Sequence, residues 1–231
     1  MSKVAIVAAL EREVRPLVKS WRASENEHSG RRFRFFENGE FVLVCAGIGA
    51  GAARRAAEAI IALYGPRTIY SVGFAGALDG SLKVGDAIRP ARVVSAKDGS
   101  SVAIDGGDGV LVSFESIASP EQKRKLRESF SAQAVDMEAA AVAQAAEARG
   151  VAFAAAKAIS DDLDFAFPSM ERFVDSNGTF SEARFGFFAA VRPWMWPRVF
   201  RLARNSKRAS VSLCAFLRGL SEEPQKKNSY F

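Results

Sequence analysis

A chain of 231 residues, 48% of them hydrophobic, can bury a substantial core as one domain, with room for at most an appendage. It has no run of the roughly 18 apolar residues that a membrane-spanning helix needs, and its single histidine (His28) and two distant cysteines (Cys45, Cys214) exclude His-dependent triads, His-rich metal sites and a disulfide framework. The net charge of +6 is concentrated in the tail, where residues 184–231 hold ten Lys/Arg against two Glu, leaving the first 183 residues slightly acidic.

In chain order, "VAIVAA" (4–9) reads as a short buried strand, with an apolar run too short for a secretory signal, so a reducing cytosol fits. "EREVRPLVKSW" follows as a helix with Val14, Leu17, Val18 and Trp21 on one side. "FVLVCAGIG" (41–49) is a second buried strand ending in glycine, and "AARRAAEAIIALYG" (52–65) a helix with a glycine stop. "TIYSVGFAG" (68–76) is a third strand, and "KVGDAIRPARVVSA" (83–96) a turn and then another. "AKDGSSVAIDGGDG" (96–109) reads as turns or a mobile loop. "SPEQKRKLRESF" (119–130) is a helix with a serine cap and proline in its first turn. "AVDMEAAAVAQAAEARG" (134–150) reads as an Ala-rich helix, and "VAFAAAKAIS" as the last strong strand. Continuous apolar strands alternating with helices predict an α/β protein whose main sheet is covered on both faces.

Ligands of such sheets gather at the carboxyl ends of strands. "GIGAGAA" (47–53) opens a helix there, but it follows the second strand and no acid waits about 20 residues on. It is a poor dinucleotide fingerprint, and close backbone packing or a small-ligand loop suits it better. In "VDMEAAAVA" (135–143), Asp136 and Glu138 either complement a helix dipole or hold vicinal hydroxyls of a sugar. Glu13 says little by itself. Asp161, Asp162 and Asp164 in "KAISDDLDF" fit a solvated turn, a cap or an active-site acid.

Together, "VAIVAALEREV", "AGIGAGAARRA", "SVGFAGALDGSLKVGDAI", "AVDMEAAAVA" and "KAISDDLD" resemble, in order, the motifs of the nucleoside phosphorylase/nucleosidase superfamily. The likeness spans roughly residues 3–165 and is nearest to methylthioadenosine/S-adenosylhomocysteine nucleosidases. The short middle and the tail "RPWMWPRVFRLARNS" resemble the bacterial hopanoid-associated phosphorylase group.

The resemblance implies a nucleoside phosphorylase-like three-layer fold, a central mixed sheet flanked by helices. It makes Asp161, after Ser160, the acid that serves N7 of a leaving purine, and Glu13 the carboxylate that activates water. Glu138 would bind the ribose 2′- and 3′-hydroxyls beside Met137. Ser116 and Ile117 match the base-binding segment, and Gly76 lies near the sugar. Phe74 stands where the family commonly has a small hydroxyl residue that helps hold phosphate, which favours water as nucleophile. Lys157 replaces a common arginine. A raised pKa would keep the acid protonated, with Asp162 and Asp164 as sources of negative charge.

The implied activity is hydrolysis of an adenine nucleoside, with adenosylhopane as a lipid-linked candidate. The rivals are a phosphate-dependent phosphorylase and a non-catalytic nucleoside- or lipid-binding protein. The family uses no metal or organic cofactor and often forms homodimers. The expected organisation is a catalytic domain over 1–180 and a basic amphipathic extension over 181–231. The extension either packs on the same domain or faces an anionic membrane surface at the inner face of the cytoplasmic membrane. No motif supports nucleic-acid binding.

Overall fold

The computed structural model describes residues 3–166, 173, 175, 178, 181, 184–185, 188 and 192–222, the last three without side chains. The expected boundary at residue 180 lies outside the described residues.

Four buried runs form the parallel centre of the sheet: β1 (Val4–Ala8), β4 (Phe41–Cys45), β5 (Thr68–Ala77) and β11 (Ala152–Asp161). Their order is β4-β1-β5-β11, with Val4 opposite Phe41 and Thr68, and Ala152 opposite Thr68. Each is apolar on both faces because helices cover both. On one side, α2 (Ala50–Tyr64) and α4 (Ala139–Glu147) pack Ala53, Ala56, Ile60, Val142 and Ala146 against Ala5, Val7, Val44 and Ile69. On the other, α1 (Glu11–Val18) and α5 (Trp196–Glu222) set Val14, Val18, Ala209, Leu213 and Leu217 against Ile6, Leu43, Val72 and Ala158. The three-layer expectation therefore holds. The basic tail helix is part of the core on its Ala209/Leu213/Leu217 stripe.

The sheet is mixed. The hairpin of β2 (Arg22–His28) and β3 (Arg31–Asn38) adds antiparallel strands at the β4 edge. Its turn uses positive φ at Ser29 and Gly30, the backbone a two-residue hairpin requires. Beyond the end of β1, the free edge of β5 takes β10 (Ala134–Asp136) antiparallel, with Val135 opposite Gly76. β9 (Val110–Ser113), β7 (Arg92–Ser95) and β8 (Ser101–Ala103) continue from β10, while β6 (Ala87–Ile88) pairs with β11.

Two expectations are corrected here. Residues 101–103, read as part of a loop, form β8. Residues 134–136, read as the start of a helix, form β10, and α4 begins only at Ala139. α3 (Pro120–Phe130) starts as predicted: the Ser119 hydroxyl accepts from the Gln122 N–H while the Gln122 side chain accepts from the Ser119 N–H.

Candidate active site

The ends of these elements enclose a cavity of about 440 Å³, the size of a small-ligand site. Its wall includes all nine sequence-selected residues: Glu13, Phe74, Gly76, Ser116, Ile117, Met137, Glu138, Ser160 and Asp161. The strand-end rule explains only part of this. Glu13 follows β1, and Phe74, Gly76, Ser160 and Asp161 come from β5 and β11. Ser116 and Ile117 follow β9, and Met137 and Glu138 follow β10, strands that run against β5.

At one end stand Glu13 and Glu138. Glu13 is buried, and its Oε2 accepts no hydrogen bond among the described residues. Burial, then the charge of Glu138, pushes its pKa up to about 8 against the pull of Lys157 and Arg12. Glu138 caps α4. Its Oε1 accepts from the Gly49 N–H at 2.8 Å and its Oε2 from the Met137 N–H at 3.3 Å. Burial, then the charge of Asp136, raises it to about 7. The glycines of "GIGAG" thus aim a backbone N–H at a carboxylate of the site, Gly49 doing so at a φ of 94°.

Behind these acids lies Lys157, fully buried on β11. Its Nζ is 2.8 Å from Asp136 Oδ2 and donates to Ser71 Oγ at 3.1 Å. Burial alone would lower its pKa, but Asp136, Glu138 and Glu13 outweigh it and hold the ammonium above its usual value. Asp136 takes the helix-dipole reading of the "VDME" acids, accepting from the Ala139 N–H at the start of α4, and it also neutralises Lys157, which neither reading named.

At the opposite end, a register shift between Ile159 and Asp161 bulges β11 and turns the Asp161 carboxylate into the cavity. Asp161 Oδ1 accepts from Ser160 Oγ at 2.6 Å, and Oδ2 accepts from Lys123 Nζ at 2.5 Å. Lys123 comes from α3, is fully buried, and also donates to the Asp162 carbonyl. No sequence signal singled it out. Asp162 and Asp164 do not lend negative charge here, since their carboxylates pair with Arg201 and Arg124.

The two glycines of "GFAG" make room for the two ends. A Cβ on Gly73 would lie 2.8 Å from Glu13 Oε2, and one on Gly76 2.8 Å from Asp161 Oδ2.

Comparison with known proteins fits this arrangement. The family model for the phosphorylase superfamily matches residues 3–111 and 104–190. The chain belongs to the phosphorylase superfamily. Within that superfamily it is 28% identical over 197 residues to a 5′-methylthioadenosine/S-adenosylhomocysteine nucleosidase of Staphylococcus epidermidis, covering 68% of this chain and 86% of the relative. Its fold matches the nucleosidase of the same name from Helicobacter pylori, solved with butyl-thio-DADMe-Immucillin-A. That match has a TM-score of 0.73 at 19% identity and covers 96% of this chain and 99% of the other. The fold likewise matches futalosine hydrolase of Helicobacter pylori, with a TM-score of 0.71 at 20% identity over 96% and 98% of the two chains. The mixed sheet flanked by helices is thus the fold of this superfamily.

Proposed function

We propose that the protein is a purine nucleosidase that hydrolyses the N-glycosidic bond of an adenine nucleoside. The observation that carries this reading is one cavity with a buried carboxylate oxygen on Glu13 that has no hydrogen-bond partner among the described residues at one end, and the Lys123-paired Asp161 at the other. Cleavage builds positive charge on the sugar while the departing base needs a proton, and carboxyl groups at the two ends divide that work. Glu13 would take a proton from water attacking C1′. Glu138, held by the Gly49 N–H, would accept from the 2′- and 3′-hydroxyls with Met137 against the sugar. Asp161 would serve N7 of the base, with the segment at Ser116 and Ile117 beside the ring.

Water suits this site better than phosphate. Glu13, Glu138 and Asp136 surround the Lys157 ammonium at the sugar end, a poor setting for a phosphate dianion, and Phe74 occupies the wall where a hydroxyl would help hold one. Arg12, also on the wall, is the cation that a phosphorolytic reading would use.

The 5′ substituent is proposed to be large and apolar, with adenosylhopane as the candidate. A second cavity of about 590 Å³ shares Arg12, Phe74, Leu202 and Ser206 with the first and continues along α5 past Val199 and Ala203. It leads toward the start of α5, where Trp194, just before the helix, is 73% exposed and Phe200, in its first turns, 69% exposed among basic residues. This is the surface proposed to rest on an anionic membrane. No helix among the described residues is long and apolar enough to cross one. A homodimer belongs to the same proposal: a further cavity beside Met137, lined by Arg54, Phe114 and Gln144, is where a partner would cover the sugar end.

The test is free adenine measured from adenosine, methylthioadenosine and adenosylhopane, with and without phosphate. Release without phosphate is expected, greatest from adenosylhopane. Strict phosphate dependence overturns the nucleophile, and tight binding without release overturns the enzyme. Light scattering of the protein in solution tests the dimer.

A further inference from the structure

The amino group at the base end is fixed as firmly as the carboxylate. Lys123 reaches the cavity from α3, fully buried, and passes over Gly76, where a Cβ would lie 3.2 Å from its Cε. Two of its three hydrogens go to Asp161 Oδ2 and the Asp162 carbonyl, both at 2.5 Å. Asp161 meanwhile receives donors on both oxygens, from Lys123 and from Ser160. With the Lys123 ammonium on one oxygen and the Ser160 hydroxyl on the other, both Asp161 oxygens already accept, and the nearest proton is the one on Lys123. The departing base must gain a proton.

We infer that Lys123 holds the proton delivered to the leaving base, acting through Asp161. This rests on the nucleosidase reading above. As the C1′–N bond breaks, its electron pair passes to the base. The base takes a proton at its imidazole nitrogen from Asp161, which draws one from the Lys123 ammonium and leaves a neutral amine. Water forms the new C1′–O bond and gives its other proton to Glu13. Solvent then returns a proton to Lys123 and removes one from Glu13, so the net reaction is nucleoside plus water giving sugar plus base. In this scheme Lys123 is a positioning residue with a proton-holding role, and its charge alone is not enough. Arginine could keep the ion pair but does not surrender a proton in proteins.

The experiment compares wild type, Lys123→Met and Lys123→Arg on adenosine and on 4-nitrophenyl β-D-riboside, whose nitrophenolate leaves without a proton. Wild-type adenine release tests the nucleosidase reading, and the ratios between variants test Lys123. Expected is a loss of at least about 10²-fold in adenine release for both variants, the usual worth of a positioned acid. Nitrophenol release should stay within about fivefold of wild type on the same scale. A wild type that rejects the nitrophenyl substrate leaves the arginine variant to decide. Restoration of adenine release by arginine, or equal losses on both substrates, would overturn the inference.

Discussion

A methyl group on Gly76 would stand 2.8 Å from Oδ2 of Asp161, on the strand directly opposite it in register. That oxygen receives the Lys123 ammonium, so the glycine clears the path by which helix α3 reaches the base end. Gly76→Ala is expected to displace the pair by a fraction of an ångström and lower kcat by roughly 10²-fold, the scale of such misplacements. The thermal midpoint should fall only modestly, because the rest of β5 keeps its pairing. Adenine release measured beside thermal unfolding checks this, and unchanged turnover would show that the pair tolerates the shift.

Asp161→Asn keeps the shape of the side chain and its bond to Ser160 but removes the negative charge opposite Lys123. Base release should fall about 10³-fold or more, while far-UV circular dichroism stays native. Near-normal turnover by the folded variant removes Asp161 from the chemistry.

Glu13 must be ionised to take a proton from water, and its pKa is pushed up to about 8. The value of kcat/KM should therefore rise with pH and level off only above about 8. Stability should run the other way. A carboxyl raised in the folded state stabilises it fully below its unfolded pKa near 4.5, and this is lost as pH rises through about 8. Glu138, raised to about 7, adds to the same slope. Glu13→Gln should abolish turnover and flatten the decline in thermal midpoint between pH 5 and about 8. A midpoint that falls as steeply in the variant would assign the decline to other groups.

What was legible in the chain follows the same physics. The four central strands are buried on both faces, so each reads as an unbroken apolar run such as "VAIVAA" or "FVLVC". The hairpin at the β4 edge could not be read that way, because "RASENEH" is polar apart from Ala23 and pairs only on one side. β10 is three residues within an Ala-rich stretch, and only its partner strands distinguish it from a helix. The acids of the site were visible as a set of motifs. Lys123 was not, since "EQKRKLRE" reads as a solvated charged face, and only the passage over Gly76 shows that one of its lysines is buried.

Lys157 offers a test of electrostatics in the core. Its ammonium is fully buried between Asp136, Ser71 and the two glutamates of the sugar end. Lys157→Met removes the cation and leaves Asp136 as a buried carboxylate facing Glu138, a change expected to cost about 3–5 kcal/mol. The double variant Lys157→Met/Asp136→Asn should recover much of that, since the carboxylate left facing Glu138 is then neutral. Denaturant unfolding of the three proteins measures it, and equal stabilities would mean that water or proton uptake relieves the buried charge.

The exposed aromatics at the start of α5 can be separated from its packed face. Removing residues 185–231 would strip Ala209, Leu213 and Leu217 from the core and confuse unfolding with lost binding. Trp194 and Phe200 are 73% and 69% exposed, so Trp194→Ala/Phe200→Ala should leave the fold and the hydrolysis of soluble adenosine unchanged. Placing two such side chains in an interface is worth about 1.5–3 kcal/mol each when burial is complete. Partial insertion therefore predicts at least about a tenfold loss of binding to vesicles of mixed phosphatidylcholine and phosphatidylserine. Arg198, Arg204 and Lys207, exposed on the same helix, should make that binding weaken as salt shortens the screening length. Equal co-sedimentation of wild type and variant, or binding indifferent to salt, would exclude this surface as a membrane contact and leave the groove along α5 to be filled from solution.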